Sequence, residues 1–356
     1  MQRQSVPVSA FFRHMPSATM RLVNNRERVL SSLHHRSPDR IPYNVGFTKK
    51  ALENMRRFYG DANFESRINN CFTQVEAVAP SSWRQVRRDV WADGFGVEWD
   101  RSVDKDIGTV VNSVIIPANV ETYRFPRCDR RGDYSHVRAV TRDRGDRFVV
   151  AVLGFSLFER AWTLAGMENL LMAMACDPPF AHRLLDRILE YNLGAIEQLN
   201  ACGVDGIQFG DDWGAQHGLI MGPEMWREYI RPRVARMYAA VKKAGIAVFI
   251  HSCGKVDELF PDLIELGVDV FNPFQPEVID VSAAKRVYGD RLCFFGGIST
   301  QRILPAATPQ ETREHVKRLL DVAGRSGGFF ASPAHDIPPD ARPENIHAML
   351  ETLENQ

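Results

Sequence analysis

From about residue 148 onwards, the chain alternates short apolar runs with stretches in which apolar residues recur at helical spacing. FVVAVLG (148–154) is the first of these runs, and IAVFIHSCG (246–254) is a later one. Short, nearly continuous apolar runs are typical of strands buried on both faces, whereas spacings of three and four residues are typical of amphipathic helices. Six strand-then-helix units in succession predict a parallel sheet with right-handed crossovers.

Two earlier segments extend this pattern toward eight strands. They are RIPYNVGF (40–47) and the less regular GTVVNSVIIP (108–117). The length and the repetition favour a (β/α)8 TIM barrel over an open doubly wound sheet. We predict a single α/β barrel domain over residues 21–356, with an irregular insertion at 60–147 lying over the barrel mouth. Residues 1–20 are predicted to be a disordered extension.

The composition is that of an ordinary globular protein, and it argues against several classes of partner. Among the 356 residues, 44 Lys and Arg balance 44 Asp and Glu, so no basic footprint for nucleic acid or an anionic membrane is present. No apolar run approaches the roughly 20 residues that span a bilayer. The six cysteines form no CxxC pair, a pattern typical of reduced thiols. We therefore expect a cytoplasmic protein without a nucleic-acid or membrane partner.

His251 and Cys253 follow directly on the buried strand that begins at Ile246. Side chains at positions i and i+2 of a strand lie on the same face, so an extended chain would point both groups the same way, close enough to share a metal ion. A lone His or Cys there is otherwise a buried structural residue. Because active sites of (β/α)8 barrels lie at the carboxyl ends of the strands, the pair predicts a metal or catalytic site.

Further polar residues follow the other predicted strands. They are Glu159, Asp211 and Asp212 as candidate acids or bases, Asn272 and Gln275 as candidate substrate contacts, and His335 with Asp336 after the last strand. Two aromatic residues of the predicted insertion, Phe95 and Trp99, are further candidate substrate contacts that could cover the cavity. Each has a structural explanation as well. Acids commonly cap helices and turns, Asn272 precedes a proline, and aromatic residues of an insertion often form its own core. The predicted fold nevertheless directs most of these side chains to one cavity.

Segments distributed over the chain are similar to those of a known family. They include DGFGVEWD, GDDWGAQHGLIMGPEMWREYIRPR, HSCGKVDELFPDLIELGVDVFNPFQP, FFGGIST and SPAHDIPPDARPENIHAM. Together they resemble the uroporphyrinogen decarboxylase superfamily, which also contains zinc-dependent methyltransferases acting with corrinoid proteins. The resemblance extends over nearly the whole chain from about Arg21, and it implies a (β/α)8 barrel independently of the hydrophobic pattern.

The resemblance also implies a ligand set for zinc. The methyltransferases hold zinc with a His-x-Cys pair and a distant third ligand, usually Cys; here the pair is His251 and Cys253, and His335 stands where a Cys is typical. Zinc accepts imidazole as well as thiolate, so the set remains competent. The exchange makes the site less negative by one charge, which favours activation of an ether, amine or water over a bound thiolate.

Three functions remain open from the sequence. The favoured one is a zinc-dependent, methyltransferase-like enzyme that moves a methyl group between a small methylated substrate and a corrinoid protein. The corrinoid must come from a partner chain, because no DxHxxG segment is present. The first alternative is a metal-free, decarboxylase-like lyase using Asp93 or Asp212 on a carboxylated substrate. True uroporphyrinogen decarboxylases, however, carry an N-terminal Arg-rich stretch that IPYNVGFTKK lacks.

The second alternative is a non-catalytic barrel that binds a corrinoid or a metal. In that case the His at position 335 would mark lost catalysis, and a coordinatively closed metal without a substrate cavity would be expected. The sequence is compatible with a homodimer and does not determine the oligomeric state.

Overall fold

The computed structural model describes residues 23–77, 83–128 and 133–356, and the predicted extension over residues 1–20 lies outside the described residues. Across the described residues the strands are β1 (Phe72–Glu76), β2 (Arg84–Arg87), β3 (Val90–Ala92), β4 (Glu98–Asp100), β5 (Thr109–Val110), β6 (Phe148–Leu153), β7 (Gly206–Gly210), β8 (Ala247–His251), β9 (Val270–Phe274), β10 (Cys293–Ile298) and β11 (Phe329–Pro333). Most of them alternate with helices along the second half of the chain.

The α-helices of the same ranges are α1 (Asn25–Leu33), α2 (Lys49–Tyr59), α3 (Ser135–Arg142), α4 (Phe158–Ala165), α5 (Met167–Cys176), α6 (Pro178–Asn200), α7 (Gly222–Met225), α8 (Arg231–Lys242), α9 (Phe260–Glu265), α10 (Val281–Tyr288), α11 (Ile303–Ala306), α12 (Pro309–Leu319) and α13 (Pro343–Glu354). Two π-helical segments, Trp226–Ile230 and Leu320–Gly324, extend α7 and α12. None of the helices in these ranges has the length and apolar character needed to cross a membrane.

Seven strands within the described ranges form one parallel sheet, in the order β1-β6-β7-β8-β9-β10-β11. The six strands predicted after residue 148 are all present in it. β6 reads FVVAVL and is buried along almost its whole length, because helices cover the outer face of the sheet and side chains from the other strands fill its inner side. The longest helix, α6, begins with Asp177 as N-cap and two prolines in its first turn, an arrangement that starts a helix without losing a needed backbone donor.

The first strand of this sheet corrects the predicted boundaries of the insertion. β1 lies within residues 60–147, which we predicted to be irregular, and it pairs with β6 from Phe72 opposite Phe148 to Glu76 opposite Val152. The prediction that residues 108–117 contribute a barrel strand is wrong, because β5 pairs with β4 in a separate antiparallel sheet, β2-β3-β4-β5. We did not predict β1 because its sequence alternates instead of forming a continuous apolar run. Its polar side chains point into the curled sheet.

Residues 42–47 connect the two edges of the parallel sheet. Tyr43 forms a parallel bridge with Ala331 of β11, and its carbonyl accepts a hydrogen bond from the N–H of Cys71, just before β1, at 3.0 Å. The Asn70 side chain bonds both backbone groups of Val45. The sheet is therefore curled, and the predicted strand at 40–47 occurs as isolated bridges rather than as a continuous strand.

Five phenylalanines fill the lower interior of the curled sheet. They are Phe72, Phe148, Phe249, Phe295 and Phe330, in a core cluster separate from the one that joins the sheet to its helices. Phe72 stacks on Phe295 with ring centroids 5.0 Å apart and meets Phe330 edge-on at 5.2 Å. Since alternate residues of a strand share one face, Gln74 and His251 lie above this aromatic floor, at the end where the strands finish.

A buried ion pair joins the insertion to the barrel-like body. Asp93, which follows β3, accepts a hydrogen bond from Arg160 of α4 at 2.9 Å, and the two side chains are only 7% and 8% exposed. The Arg160 guanidinium also lies 3.9 Å from the centre of the Phe95 ring. Because α4 follows the carboxyl end of β6, the ion pair holds the small antiparallel sheet beside the ends of the parallel strands.

We expect Phe72→Ala to lower the free energy of unfolding by about 3–5 kcal/mol, because it opens a cavity in the aromatic floor. Phe58→Ala is a matched control, since Phe58 is 42% exposed and its loss should cost less than about 1 kcal/mol. Chemical denaturation of both variants measures the difference. Equal costs for the two variants would contradict the interior position of Phe72.

Candidate metal centre

Three side chains that can bind a metal converge beyond the ends of β8 and β11. One ring nitrogen from each of His251 and His335 and the sulfur of Cys253 all lie within 4.8 Å of one another. The Nε2 atom of His251 is 3.5 Å from the Cys253 Sγ, and the two imidazole rings are 5.6 Å apart, nearly perpendicular. In the part of the chain that the structure describes, no other group of three such residues has this geometry.

The separation of these atoms suits a tetrahedral zinc ion. Zinc–nitrogen and zinc–sulfur bonds of ordinary length place two ligand atoms about 3.6 Å apart, close to the 3.5 Å between His251 and Cys253. His335 is exposed, so its ring has room for the small rotation that would complete the set. Two imidazoles and one thiolate leave a fourth position open, as catalytic zinc sites require.

Asn272 determines which nitrogen of His251 faces the cluster. Its side-chain amide donates to the carbonyl of Phe295 at 3.1 Å, which directs its oxygen toward His251. The Nδ1–H of His251 then donates to that oxygen at 2.6 Å. Burial lowers the pKa of His251, so the ring is neutral and its Nε2 lone pair points at Cys253. Such a partner behind a ligating imidazole fixes both the tautomer and the ring orientation.

The turn that carries Cys253 packs backbone against backbone on the turn after β7. Gly254 has a φ of +85°, and a Cβ atom there would lie 2.5 Å from the carbonyl carbon of Gly214. The N–H of Cys253 donates to Asp212 Oδ1 at 2.8 Å, and the N–H of Gly254 donates to Gln275 at 2.7 Å. These contacts place the thiol precisely without using the thiol itself.

Carboxylates surround the cluster and disfavour a free thiolate. Burial first, and then the charges of Asp212 and Glu159, raise the pKa of the Cys253 thiol. Burial likewise raises the pKa of Glu159 well above its ordinary value, with Asp212 as the second cause. A cation in this position would reverse both effects, because it stabilises thiolate and carboxylate together.

Glu76 at the end of β1 is a site residue that the sequence reasoning missed. Its side chain is exposed to solvent, and the pKa of its carboxyl group is raised by desolvation beside the surrounding protein and secondly by the Asp336 carboxylate. The sequence feature that could have revealed Glu76 is the alternation in FTQVE, in which the polar residues Gln74 and Glu76 share the face of Phe72. The same Asp336 charge acts on His251, which places Glu76 and Asp336 at the same mouth as the cluster.

Asp211 has a positioning role in this structure. Its buried carboxylate accepts hydrogen bonds from the N–H groups of Leu157, Phe158 and Glu159, and from the Trp213 indole at 2.7 Å. These donors join the start of α4 to the end of β7 and thereby hold Glu159 and Asp212 side by side. Burial raises the pKa of Asp211 to about 6.

Of the four predicted substrate contacts, two lie at the mouth of the curled sheet and two are buried in the core. Asn272 and Gln275 lie at the mouth, but their observed hydrogen bonds are to His251 and to the turn at Gly254. Phe95 and Trp99 are 6% and 2% exposed and belong to the main hydrophobic core, where Trp99 packs on Phe155, just after β6, at 5.1 Å. Contact of these four residues with a substrate stays a prediction.

Comparison with known families agrees with this architecture. The sequence model of the uroporphyrinogen decarboxylase (URO-D) family matches residues 90–356. The chain belongs to the URO-D family. One relative is the uroporphyrinogen decarboxylase of Chlorobaculum tepidum, 24% identical over 255 residues, which are 67% of this chain and 69% of that protein.

A second kind of relative within the family is a methyltransferase. The methylated-thiol–coenzyme M methyltransferase of Methanosarcina mazei is 27% identical over 185 residues, 51% of this chain and 48% of that protein, so the match spans about half the length of each. A solved methyltransferase structure from Methanosarcina mazei superposes with a TM-score of 0.70 at 17% identity, covering 94% of this chain and 99% of the other. That likeness establishes the α/β fold with its curled parallel sheet.

The raised pKa of Asp211 predicts a pH dependence of stability. The folded state holds the carboxyl proton more tightly than the unfolded chain, so this contribution is complete below about pH 4 and is lost as the pH rises to about 6. Between these limits the parent should lose roughly 2–3 kcal/mol relative to Asp211→Asn. Denaturation of both proteins at several pH values measures this difference.

The matched control for that experiment is Asp290→Asn, because Asp290 is an exposed aspartate in the turn between α10 and β10. Its pH profile should follow that of the parent. If Asp211→Asn follows the parent as well, the buried carboxyl group does not titrate in this range.

Proposed function

We propose that this URO-D-family chain is a zinc-dependent methyltransferase, which moves a methyl group between a small methylated substrate and a corrinoid carried by a partner protein. The observation that carries the proposal is the convergence of His251, Cys253 and His335, with the nitrogen and sulfur of the first two 3.5 Å apart. A lyase that uses only carboxyl groups and cations has no need for this donor set. A metal-dependent transferase does.

The family relationship supports the same proposal. A methyltransferase relative acts on methylated thiols and coenzyme M according to its name, and a solved methyltransferase shares the fold. We further propose that residues 42–47 complete the curled sheet as the eighth position of a closed (β/α)8 barrel. The bridge of Tyr43 to Ala331 and its hydrogen bond from Cys71 support that closure.

Each residue around the centre would have a separate role in the reaction. Zinc held by His251, Cys253 and His335 would supply Lewis-acid polarisation of the atom that bears the methyl group. Asn272 would keep the His251 lone pair directed at the ion. Glu159, which lies beside Asp212 at the centre, is suited to exchange a proton with the atom that loses the methyl group. Asp212 would hold the Cys253 turn in place through its backbone N–H.

A decarboxylase reaction is the second candidate, because several relatives carry the name uroporphyrinogen decarboxylase. Its substrate would need cations to bind several carboxylates. The groups that act on the centre are mainly acids, and the cation that acts on Glu159 is Arg160, which is already paired with Asp93. The same ion pair occupies Asp93, the base considered for such a lyase. This charge distribution favours the methyltransferase.

The direct test is the zinc content of the purified protein. We expect about one zinc ion per chain in the parent at this centre and less than roughly a tenth of that in His251→Ala/Cys253→Ala, because two of three protein ligands are lost. Mass spectrometry of the metal, before and after zinc reconstitution, gives the result. Corrinoid-linked demethylation assays would then identify the methyl donor.

A matched control removes the same residue types from the surface. His34→Ala/Cys176→Ala replaces an exposed histidine and an exposed cysteine, and its zinc content should equal that of the parent. A parent that binds no zinc after reconstitution would overturn the methyltransferase proposal and direct the search to carboxylated substrates.

A second prediction concerns the residue behind the ligand. Asn272→Ala removes the acceptor for the Nδ1–H of His251, so we expect zinc affinity to fall about 10–100-fold while the three ligands remain. Competition with a chromophoric chelator measures the affinity. Asn169→Ala, at an exposed helical asparagine, serves as control. Unchanged affinity in Asn272→Ala would show that the orientation of His251 does not depend on this hydrogen bond.

A further inference from the structure

Gln74 is an exposed side chain inside the curled sheet. It shares the inner face of β1 with Phe72, because alternate residues of a strand point the same way, and yet it is exposed to solvent. The five phenylalanines of the aromatic floor beneath it are at most 3% exposed, so solvent does not reach Gln74 from that end. The interior is therefore open from the metal centre down to Gln74.

A neighbouring glutamine orients the amide of Gln74. Gln74 Nε2 donates to Gln208 Oε1 on β7 at 3.2 Å, and this contact reaches across β6, with which both strands pair. Gln208 is only 7% exposed, so packing holds its side chain. The carbonyl oxygen of Gln74 accepts no hydrogen bond in the part of the chain that the structure describes, and it is free to accept one in the open interior.

The amide pair and the metal centre line one continuous space. Gln208 lies one strand and two residues from His251, since Gly210 is the register partner of His251. Ordinary strand spacings make this a separation of about 8 Å between the two Cα atoms. Glu76, two residues beyond Gln74 on the same face, is exposed and yet desolvated by the surrounding protein. A side chain that is both reachable and desolvated belongs to a concave site, as ligand sites are.

Charged groups lie above the amide pair rather than beside it. Alternation with the floor phenylalanines indicates that the inward side chains at the level of the pair are uncharged, namely Val150, Val152, Gln208 and Ser332. The charged groups that act on the centre above them include four acids, Glu76, Glu159, Asp212 and Asp336. The Arg160 guanidinium beside them is paired with Asp93.

This arrangement selects among the groups that a substrate could place at Gln74. A carboxylate would be repelled by the acids and would lose its water against amides that cannot neutralise it. An ammonium group would be drawn to the acids above the pair. A hydroxyl group needs only the acceptor that Gln74 offers.

We propose that Gln74 is a specificity-determining residue for the methylated substrate, and that this substrate is a methyl ether bearing a hydroxyl group. The hydroxyl donates to Gln74 Oε1, the methyl-bearing oxygen lies toward His251 and Cys253, and the carbon atoms between them pass the half-buried Val152. A methylated amine is protonated at neutral pH and offers the centre no lone pair. The inference rests on the proposed methyl transfer, for which it names the substrate class.

Calorimetric titration of the zinc-reconstituted, full-length protein with three matched probes tests the inference. They are 3-methoxypropan-1-ol, methyl propyl ether, which lacks the hydroxyl, and 3-methoxypropanoate, which carries a carboxylate instead. We expect the alcohol to bind about tenfold more tightly than either of the others, because it alone donates to Gln74 without adding a negative charge.

Two variants assign this preference to Gln74. In Gln74→Leu the acceptor is lost, and in Gln74→Asn it is withdrawn by about 1.5 Å. In both, the alcohol and the ether should bind equally to within about twofold, while the zinc content stays that of the parent. The acids attract 3-methoxypropylammonium, so its binding should change less than about threefold in either variant.

The control is Gln85→Leu, which changes an exposed glutamine of β2 outside the parallel sheet and should keep the preference of the parent. A preference for the alcohol that survives in both Gln74 variants would overturn the inference. Equal or tighter binding of 3-methoxypropanoate to the parent, or no binding of the alcohol up to roughly 50 mM, would overturn it as well. A parent that holds zinc without preferring the alcohol overturns this inference alone, whereas a parent that holds no zinc overturns the proposed function.

Discussion

The curvature of the parallel sheet is the constraint on which the candidate centre depends. In a flat sheet, strands as far apart in order as β8 and β11 would be separated by about 14 Å. The ligand atoms of His251 and His335 nevertheless lie within 4.8 Å, because the sheet curls and both strand ends lean toward the same interior. The aromatic floor around Phe72 fills the opposite end of that interior and keeps it from collapsing.

Buried polar groups hold the mouth in shape around this interior. Asp211 ties the start of α4 to the end of β7 through three hydrogen bonds, and Asn272 ties His251 to the carbonyl of Phe295. Each of these side chains uses its hydrogen-bonding capacity on the protein itself. Residues that look catalytic by type thus act as supports, and they leave Glu76, Glu159, Asp212 and Asp336 as the carboxyl groups that face the centre.

The charges of the residues around the centre determine which kind of ligand it suits. Burial and neighbouring acids oppose ionisation of Cys253 and Glu159, and a positive charge at the centre would relieve both effects. The ion pair with Asp93 neutralises the nearby Arg160 guanidinium and anchors the insertion at the same time. A cation-poor, acid-rich mouth with soft donors suits a bound metal better than a polycarboxylate substrate.

Much of this arrangement was predictable from the sequence, because it depends on local patterns. Continuous apolar runs predicted six parallel strands, and the i, i+2 spacing of His251 and Cys253 predicted that they face the same way. The sequence did not reveal β1, since Gln74 and Glu76 interrupt its apolar pattern, nor the roles of Asp211 and Asn272. Those depend on which groups long-range packing brings within hydrogen-bond distance. Local periodicity determines the elements, whereas the curl of the sheet decides which of their polar ends meet.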